Sequence, residues 1–285
     1  MATQPRPVPT RRMSFAASLR DLPTYFADEG DLIMSHTLAS LSGVFPDGEE
    51  FFVRSVRHFR DEITDPVLKQ QVAGFIGQEA VHGREHRALN NRLADLGYPT
   101  KQIERLTDRG LRFRERVMTP LANLASTAAL EHFTATLAEV ILSSERAREL
   151  IGAQPIVDVL VWHALEESEH KAVAFDVYRA VGGSERTRRW TMNFITCTFL
   201  GGMTVQVVVA LLRDRSTYRR GTLSASIRRL RGNPFMRRAV WRRLRDYNRA
   251  DFHPDDHDTE ALLDEWRARL FGADGDLNDR LLGIA

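Results

Sequence analysis

The chain has 285 residues, of which 43% are hydrophobic and 27% charged, and its formal net charge is +2. This is the composition of a globular protein and permits one large domain or two small ones. The single cysteine, Cys197, excludes an internal disulfide framework and cannot by itself form a thiolate metal site. We therefore expect a reducing compartment, the cytoplasm.

The amino-terminal stretch MATQPRPVPTRRMSF contains prolines and arginines but no apolar run long enough for a secretory signal. We predict a disordered tail over residues 1–22, followed by a single helical domain over residues 23–285.

After Leu22, apolar residues recur at spacings of three and four, and no sustained alternating run occurs. The sequence therefore predicts an all-α fold. Breaks that contain proline or glycine, the first of them Pro46-Asp47-Gly48, divide the chain into helices of bundle length. The predicted helices span residues 28–45, 48–64, 66–96, 101–118, 120–146, 155–181 and 186–214. The bundle core covers about 28–182, and an apolar helix with an arginine-rich helical extension covers about 186–271.

The helix predicted over 48–64 carries two adjacent acids that helical phase separates. Glu49 shares a face with Phe52, Val56 and Phe59, whereas Glu50 aligns with charged residues. Glu49 is therefore the inward acid, and Glu50 is predicted to be solvated.

The helix over 66–96 carries Glu79 and His82 on the apolar face that includes Phe75. His86 follows His82 by four residues, the spacing of an HxxxH zinc motif. The residue after His82 is Gly83 rather than the catalytic glutamate of HExxH, which weakens that interpretation.

The helix over 120–146 contributes a single acid. Glu131 continues the line of Leu124 and Ala128 and is followed by Ala135 on the same face. Its carboxylate is therefore predicted to point inward among small residues.

The stretch WHALEESEH places His163, Glu167 and His170 within a sector of roughly 60° on the apolar face of its helix. A buried ionised carboxylate is costly unless it is paired or binds a metal. Glu166 lies at the edge of this face and Glu169 well off it, so we do not predict them as ligands.

In chain order the four helices supply Glu, Glu-x-x-His, Glu and Glu-x-x-His, the ligand pattern of a di-iron or di-manganese carboxylate bundle. Each pair alone is typical of a surface ion pair; the ordered set favours metal binding. Two divalent ions can be neutralised and bridged by four carboxylates, with imidazoles completing the coordination. His86, His132, Glu166 and Glu169 are predicted to lie outside the ligand set.

These residues resemble those of the ferritin-like superfamily, and more closely the bacterial family described as "predicted metal-dependent hydrolase". The likeness runs through PDGEEFF, GQEAVHGREH, LEHFTA, WHALEESEHKAVAFDVY and a later FHP. The additional His163 is similar to the third histidine of the di-iron arylamine N-oxygenases, although an outer role bonded to a ligand carboxylate is the alternative. The resemblance implies seven ligands to two metals: Glu49, Glu79, His82, Glu131, His163, Glu167 and His170.

From the resemblance we expect a di-iron oxygenase or oxidoreductase that uses dioxygen and an electron donor to oxidise a small organic substrate. The alternative is a hydrolase in which two metal ions activate a water molecule. A non-catalytic metal-handling protein is a further alternative. Iron is the expected metal, with manganese and zinc as alternatives, because hard carboxylate and imidazole sites accept each of them.

Residues 190–212 contain no charged side chain and are long enough for a membrane span. The segment fits either a helix buried in the bundle or in a homodimer interface, or one in contact with a membrane. The arginines of 216–249 alternate with apolar residues, which fits an anionic membrane surface or a solvated face. We therefore expect a cytoplasmic protein with peripheral membrane contact through 190–250 as the open alternative. No nucleic-acid recognition module accompanies the arginines, so no nucleic-acid partner is predicted.

Overall fold

The computed structural model describes residues 8–283, which form α-helices joined by short turns and 3₁₀ segments. Within that range the only β-type pairing is a single bridge between Met13 and Leu281. The prediction of an all-α fold is confirmed. The helices are α1 Leu32–His58, α2 Pro66–Asp95, α3 Thr100–Val117, α4 Pro120–Ser143, α5 Glu145–Ile151, α6 Gln154–His170, α7 Val173–Ala180, α8 Glu185–Arg213, α9 Thr222–Arg229, α10 Arg238–Asp246 and α11 Glu260–Phe271.

The predicted break at Pro46-Asp47-Gly48 is wrong, because α1 continues through Pro46. Proline has no backbone N–H to donate to the carbonyl four residues earlier, which normally breaks or kinks a helix. Here the carbonyl of Ser42 instead accepts from Asn90 Nδ2, at 3.0 Å. A side chain of α2 thus replaces the missing donor, and the two predicted helices form one.

The helix predicted over 155–181 is divided at Lys171 and Ala172 into α6 and α7. Lys171 turns toward the C-terminal region, where its Nζ donates to the carbonyl of His257 at 2.7 Å and to Thr259 Oγ1 at 3.1 Å. The helix predicted over 120–146 ends earlier, at Ser143, and the side chain of Ser144 caps α5.

Four helices form the centre of the molecule: α1 packs on α2 and α4, and α6 packs on α4 and α2. Along α2, Val72 and Phe75 belong to one apolar cluster, and Leu89 and Leu93 to another. Between these positions Gln78, Glu79, His82, Glu85 and His86 are buried as well. The bundle therefore encloses a polar layer with apolar core on either side along α2.

The predicted disordered tail over 1–22 is wrong for residues 8–22; residues 1–7 lie outside the described range. Met13 and Phe15 are fully buried, and the backbone N–H of Phe15 donates to Glu85 Oε2 at 2.8 Å. Gly74 and Gly77 of α2 make room for this segment, because a Cβ at either position would collide with Val8 or Thr10. Residues of α2, far away in the sequence, hold this segment in place. Its local composition therefore did not show that it is ordered.

Helix α8 is the one helix in residues 8–283 whose length and apolar composition would allow it to cross a membrane. Only 11% of its apolar window is buried, so burial inside the bundle, one of the two alternatives, is wrong for the single chain. Its exposed large apolar side chains are those of Trp190, Phe194, Val205, Val208, Val209 and Leu212.

Candidate metal centre

Seven acids and histidines from four helices meet inside the bundle, and each is at most 4% exposed. They are the seven residues that helical phase and resemblance predicted. α1 contributes Glu49; α2 contributes Glu79 and His82; α4 contributes Glu131; and α6 contributes His163, Glu167 and His170.

The side chains form two groups, each able to hold a metal ion. Glu49, His82 and His163 make the first group; Glu79, Glu167 and His170 make the second. Within each group, one potential ligand atom from every residue lies within 4.8 Å of the others. Glu131 adjoins the second group, since its Oε2 lies 3.2 Å from His170 Nε2. The groups are neighbours, with His82 Nδ1 3.9 Å from Glu167 Oε1.

The acids of the cluster do not all ionise equally easily. Burial and the charge of Glu79 raise the pKa of Glu49 well above its usual range. Burial and the charge of Glu167 raise the pKa of Glu131 to about 8. Burial also opposes ionisation of Glu167, but the adjacent rings of His163 and His170 outweigh it and hold its pKa well below normal. Several carboxylates in one dry site therefore need protons or cations to balance their charge.

His82 is held from outside the cluster by Glu166. Its Nε2 lies 2.9 Å from Glu166 Oε2, which can only accept when ionised, so Nε2 carries the proton. Its Nδ1 then faces Glu79 and Glu167, at 3.8 and 3.9 Å. Burial opposes a charge on His82, but Glu166 and Glu79 outweigh it and raise its pKa to about 10. The surroundings of this ring thus favour positive charge.

His170 is oriented in the same way by Gln78. The amide Nε2 of Gln78 donates to Glu169 Oε2 and to the carbonyl of Pro9, both at 3.0 Å. Its Oε1 is therefore the acceptor for His170 Nδ1–H, at 2.8 Å. The remaining nitrogen, His170 Nε2, lies 3.1 Å from Glu79 Oε1.

A longer chain of hydrogen bonds orients His163. Asn90 Nδ2 donates to Glu104 and to the Ser42 carbonyl, so Asn90 Oδ1 must accept from Ser42 Oγ, at 2.7 Å. Ser42 Oγ has then used its only proton and accepts from His86 Nδ1 at 3.0 Å. Burial lowers the pKa of His86 well below normal, so the ring is neutral and its Nε2 accepts from His163 Nδ1.

The tautomer that this chain selects leaves the Nε2 lone pair of His163 facing the acids. Glu167 Oε1 lies 2.9 Å from that nitrogen. Two acceptors at this distance repel each other unless a proton or a metal ion lies between them. All three histidines thus donate outward from one nitrogen and present the other to the cluster, the usual arrangement of metal-binding imidazoles.

The donor set fits divalent metal ions. Both carboxylate oxygens of Glu49, Glu79 and Glu131 are buried and have no hydrogen-bond partner among the described residues; the same holds for His82 Nδ1 and His170 Nε2. Unsatisfied buried groups are costly, and such a concentration of them at one point indicates a ligand. Oxygen and imidazole nitrogen suit iron, manganese and zinc alike.

Gly83, which replaces the glutamate of an HExxH motif, has a spatial role. A Cβ at this position would lie 3.2 Å from Glu49 Oε2. The missing side chain leaves room for the Glu49 carboxylate beside α2. The HExxH interpretation therefore does not apply, and His86 bonds to His163 rather than joining either group.

The four residues predicted to lie outside the ligand set belong to neither metal-binding group. Glu166 and His86 support cluster histidines, while His132 Nε2 instead contacts the carbonyl of Arg243. Glu169, although buried, is neutralised by Arg11 and Arg267. Sequence reasoning missed Gln78 and Arg11: Gln78 directly precedes the ligand candidate Glu79, whereas Arg11 lies in the supposed tail and gave no signal.

A cavity of about 620 Å³ adjoins the cluster and is lined by both His163 and Glu167. Its other walls come from α1, α4, α5, α8, further residues of α6 and residues 230–236. The cluster is therefore accessible from a space large enough for an organic molecule.

A family model described as "Predicted metal-dependent hydrolase" matches residues 9–258. This range includes all seven residues of the cluster, the outer residues that hold its histidines, and helix α8. Comparison with curated proteins and with solved structures gives no match.

Proposed function

The chain belongs to the predicted metal-dependent hydrolase family, and we propose that it hydrolyses an organic ester or amide at a centre of two divalent metal ions. The observation that supports this most directly is the set of buried carboxylate oxygens and imidazole nitrogens that face one another without hydrogen-bond partners. Glu49, His82 and His163 would hold one ion. Glu79, Glu167 and His170, with Glu131 beside them, would hold the other.

When bound, two such ions would supply Lewis acidity to polarise a carbonyl group and would lower the pKa of a nucleophilic water molecule to about 7. The chain itself contributes the orientation of the ligands. Glu166, Gln78 and His86 each fix one ring, so three imidazole nitrogens are aimed at the acids before a metal arrives. Such preorganisation removes reorganisation cost from binding and catalysis.

The apolar core on either side of the cluster keeps bulk water away from it. The phenyl ring of Phe75 lies against His170, at 4.9 Å between centroids, and Trp162 packs on His82 at the same distance. A dry surrounding strengthens charge interactions within the site. The cavity beside His163 and Glu167 is where a substrate would approach.

The expectation of a di-iron oxygenase is not supported, and the family description fits the hydrolase alternative better. Oxidation remains a second candidate function because of one feature, the third histidine His163 with its Nε2 turned toward the acids. A purely metal-handling role is less favoured, because an apolar cavity leads to the cluster.

Metal content and turnover separate these functions. The purified protein should hold about two divalent ions per chain and hydrolyse p-nitrophenyl esters, with activity lost on chelation and restored by zinc or manganese under anaerobic conditions. An isolate that contains iron, fails to hydrolyse esters or amides, and consumes dioxygen after reduction would overturn the hydrolase in favour of the oxidation chemistry.

The membrane contact predicted through residues 190–250 stays a proposal. The apolar face of α8 is exposed in the single chain, and the exposed arginines Arg213, Arg215, Arg219 and Arg220 follow directly. Apolar residues beside a basic cluster suit an anionic bilayer. We retain a peripheral membrane location as the working proposal.

A further inference from the structure

The cavity beside the metal cluster indicates what kind of substrate the centre takes. We infer that the cavity binds the hydrocarbon chain of a fatty acyl ester or amide, an inference that rests on the proposed hydrolase for its reaction. Hydrolysis then adds water across the acyl C–O or C–N bond and releases a fatty acid and an alcohol or amine. No further reactant is needed.

The lining of the cavity is almost wholly hydrocarbon. Among the residues that line it, His163 and Glu167 are the only ionisable ones. Apolar side chains such as Leu41, Phe45 and Val207 cover the walls from α1 and α8. A polar or sugar-like substrate would lose its hydration there without compensation, whereas an alkyl chain gains from every methylene that it buries.

Most polar groups among the other lining residues already have partners within the chain. The hydroxyl groups of Thr37, Thr134 and Thr204 donate to carbonyls of their own helices. Asn233 Oδ1 accepts from the backbone N–H of Phe235. Because threonine hydroxyls bonded in this way are turned to the helix backbone, hydrocarbon surface dominates the cavity.

The position of the reacting group follows from the residues that cavity and cluster share. His163 and Glu167 belong to both, so the acyl carbonyl lies beside them and the chain occupies the apolar remainder. Met236 and Val208 also line the cavity and are more than 40% exposed, at 57% and 47%. The cavity thus reaches the surface next to the apolar face of α8, where a chain can arrive from a membrane or from solution.

Chain binding can be measured without turnover by titrating the metal-free protein with 1-decanol and with 1-butanol in a calorimeter. Both probes are uncharged, so neither depends on a metal or on the acids. Each buried methylene is worth about fourfold in affinity, so we expect 1-decanol to bind at least 100-fold more tightly than 1-butanol.

Val207→Trp fills the cavity from α8 and should weaken 1-decanol binding by at least about tenfold. Its matched control is Val205→Trp, two residues away on the same helix and 63% exposed, which should leave the affinity unchanged. Leu41→Trp fills the cavity from α1 and serves if the first variant does not fold, as judged by circular dichroism. An equal loss of 1-decanol affinity in the Val205 variant would show that the alkyl chain does not bind in the cavity beside Val207, and would overturn the inference. Absence of 1-decanol binding would overturn it as well.

Turnover distinguishes this inference from the proposed function. The zinc-loaded protein should prefer p-nitrophenyl decanoate to the butanoate in kcat/KM, and Val207→Trp should remove that preference. Hydrolysis without a chain-length preference would refute the acyl-chain site and leave the hydrolase standing. Tight 1-decanol binding sensitive to Val207→Trp, but without hydrolysis of any ester or amide, would refute the hydrolase and leave a hydrocarbon-binding cavity. Turnover of p-nitrophenyl decanoate in phosphatidylcholine vesicles, compared with turnover of the same ester in solution, then shows from which source the acyl chain is taken.

Discussion

His86 Nε2 lies 2.7 Å from His163 Nδ1, and this contact decides which nitrogen of His163 faces the acids. His86→Phe keeps a buried ring but removes the acceptor. We expect metal affinity to fall by about 10–100-fold, the usual cost of losing an outer partner of a ligand. Competition with a chelator measures the change.

The matched control for that variant is His132→Phe, which also removes a buried histidine but one that contacts the carbonyl of Arg243. Metal affinity should be unchanged in this protein. An equal loss in both variants would show that the effect comes from packing and not from the orientation of His163.

Glu49 and Glu50 give a closely matched pair of variants, because they are adjacent in sequence but Glu49 is buried and Glu50 is exposed. Glu49→Gln should weaken metal binding by more than about 100-fold, since it removes a ligand rather than an outer contact. Glu50 is exposed and pairs with Arg87, so Glu50→Gln should bind two ions as before. Elemental analysis after dialysis measures both; full occupancy in the Glu49 variant, or in Glu131→Ala or Glu167→Ala, would refute the ligand assignment.

The metal-free protein should lose stability as the pH rises from about 7 to 9. The pKa of Glu131 is about 8 in the folded chain and 4.5 ordinarily. Between these values the folded state keeps a proton that the unfolded state has lost, so a rise in pH favours unfolding. The raised pKa of His82, about 10 against 6.5, acts in the same direction above pH 6.5.

Urea unfolding at pH 7 and pH 9 tests this dependence, with Glu131→Gln as the comparison. The amide is neutral at both values, so the variant should lose a smaller part of its free energy of unfolding than the natural protein does. A metal-free protein that is more stable at pH 9 than at pH 7 would contradict the assignment of a proton to Glu131.

Asn90 supports both the helix and the cluster, because it bonds to the carbonyl left free by Pro46 and to the hydroxyl that holds His86. Asn90→Ala should lower the free energy of unfolding by about 3 kcal/mol, since it leaves several buried groups unsatisfied. Adding Pro46→Ala restores a backbone donor for the Ser42 carbonyl and should recover about 1 kcal/mol. Denaturant titration of the single and double variants checks this; additive losses would disprove the coupling.

The exposed face of α8 predicts binding to vesicles that contain phosphatidylglycerol, with weaker binding at high salt because arginines contribute. Val205→Asp should reduce co-sedimentation. Leu106→Asp is the control, since Leu106 on α3 is equally exposed, at 63%, and lies outside α8. A protein that ignores vesicles but dimerises in a manner sensitive to Val205→Asp would show that a second copy covers this face instead.

Helical phase was enough to find the candidate ligands. A residue turns by about 100° on an α-helix, so the position of Glu49 or Glu167 relative to neighbouring apolar residues predicts which way it faces. That information is local, and it selected Glu49 over Glu50 and separated Glu167 from Glu169. The order of elements and the all-α class follow from the same periodicity.

Helical phase does not predict contacts between different helices or segments, and tertiary structure decided those. Pro46 reads locally as a break, but Asn90, from another helix, supplies the donor that proline lacks. Residues 8–22 read locally as a tail, but two glycines of α2 and a buried acid, Glu85, hold them.

The same limit applies to the site. Which nitrogen each histidine presents depends on Glu166, Gln78 and His86, and the cavity depends on how α8 lies against α1 and α4. These contacts join residues far apart along the chain, and their free energies appear only once the helices pack. The sequence by itself therefore determined the fold class and the candidate ligands, while packing determined how these side chains are aimed and what can reach them.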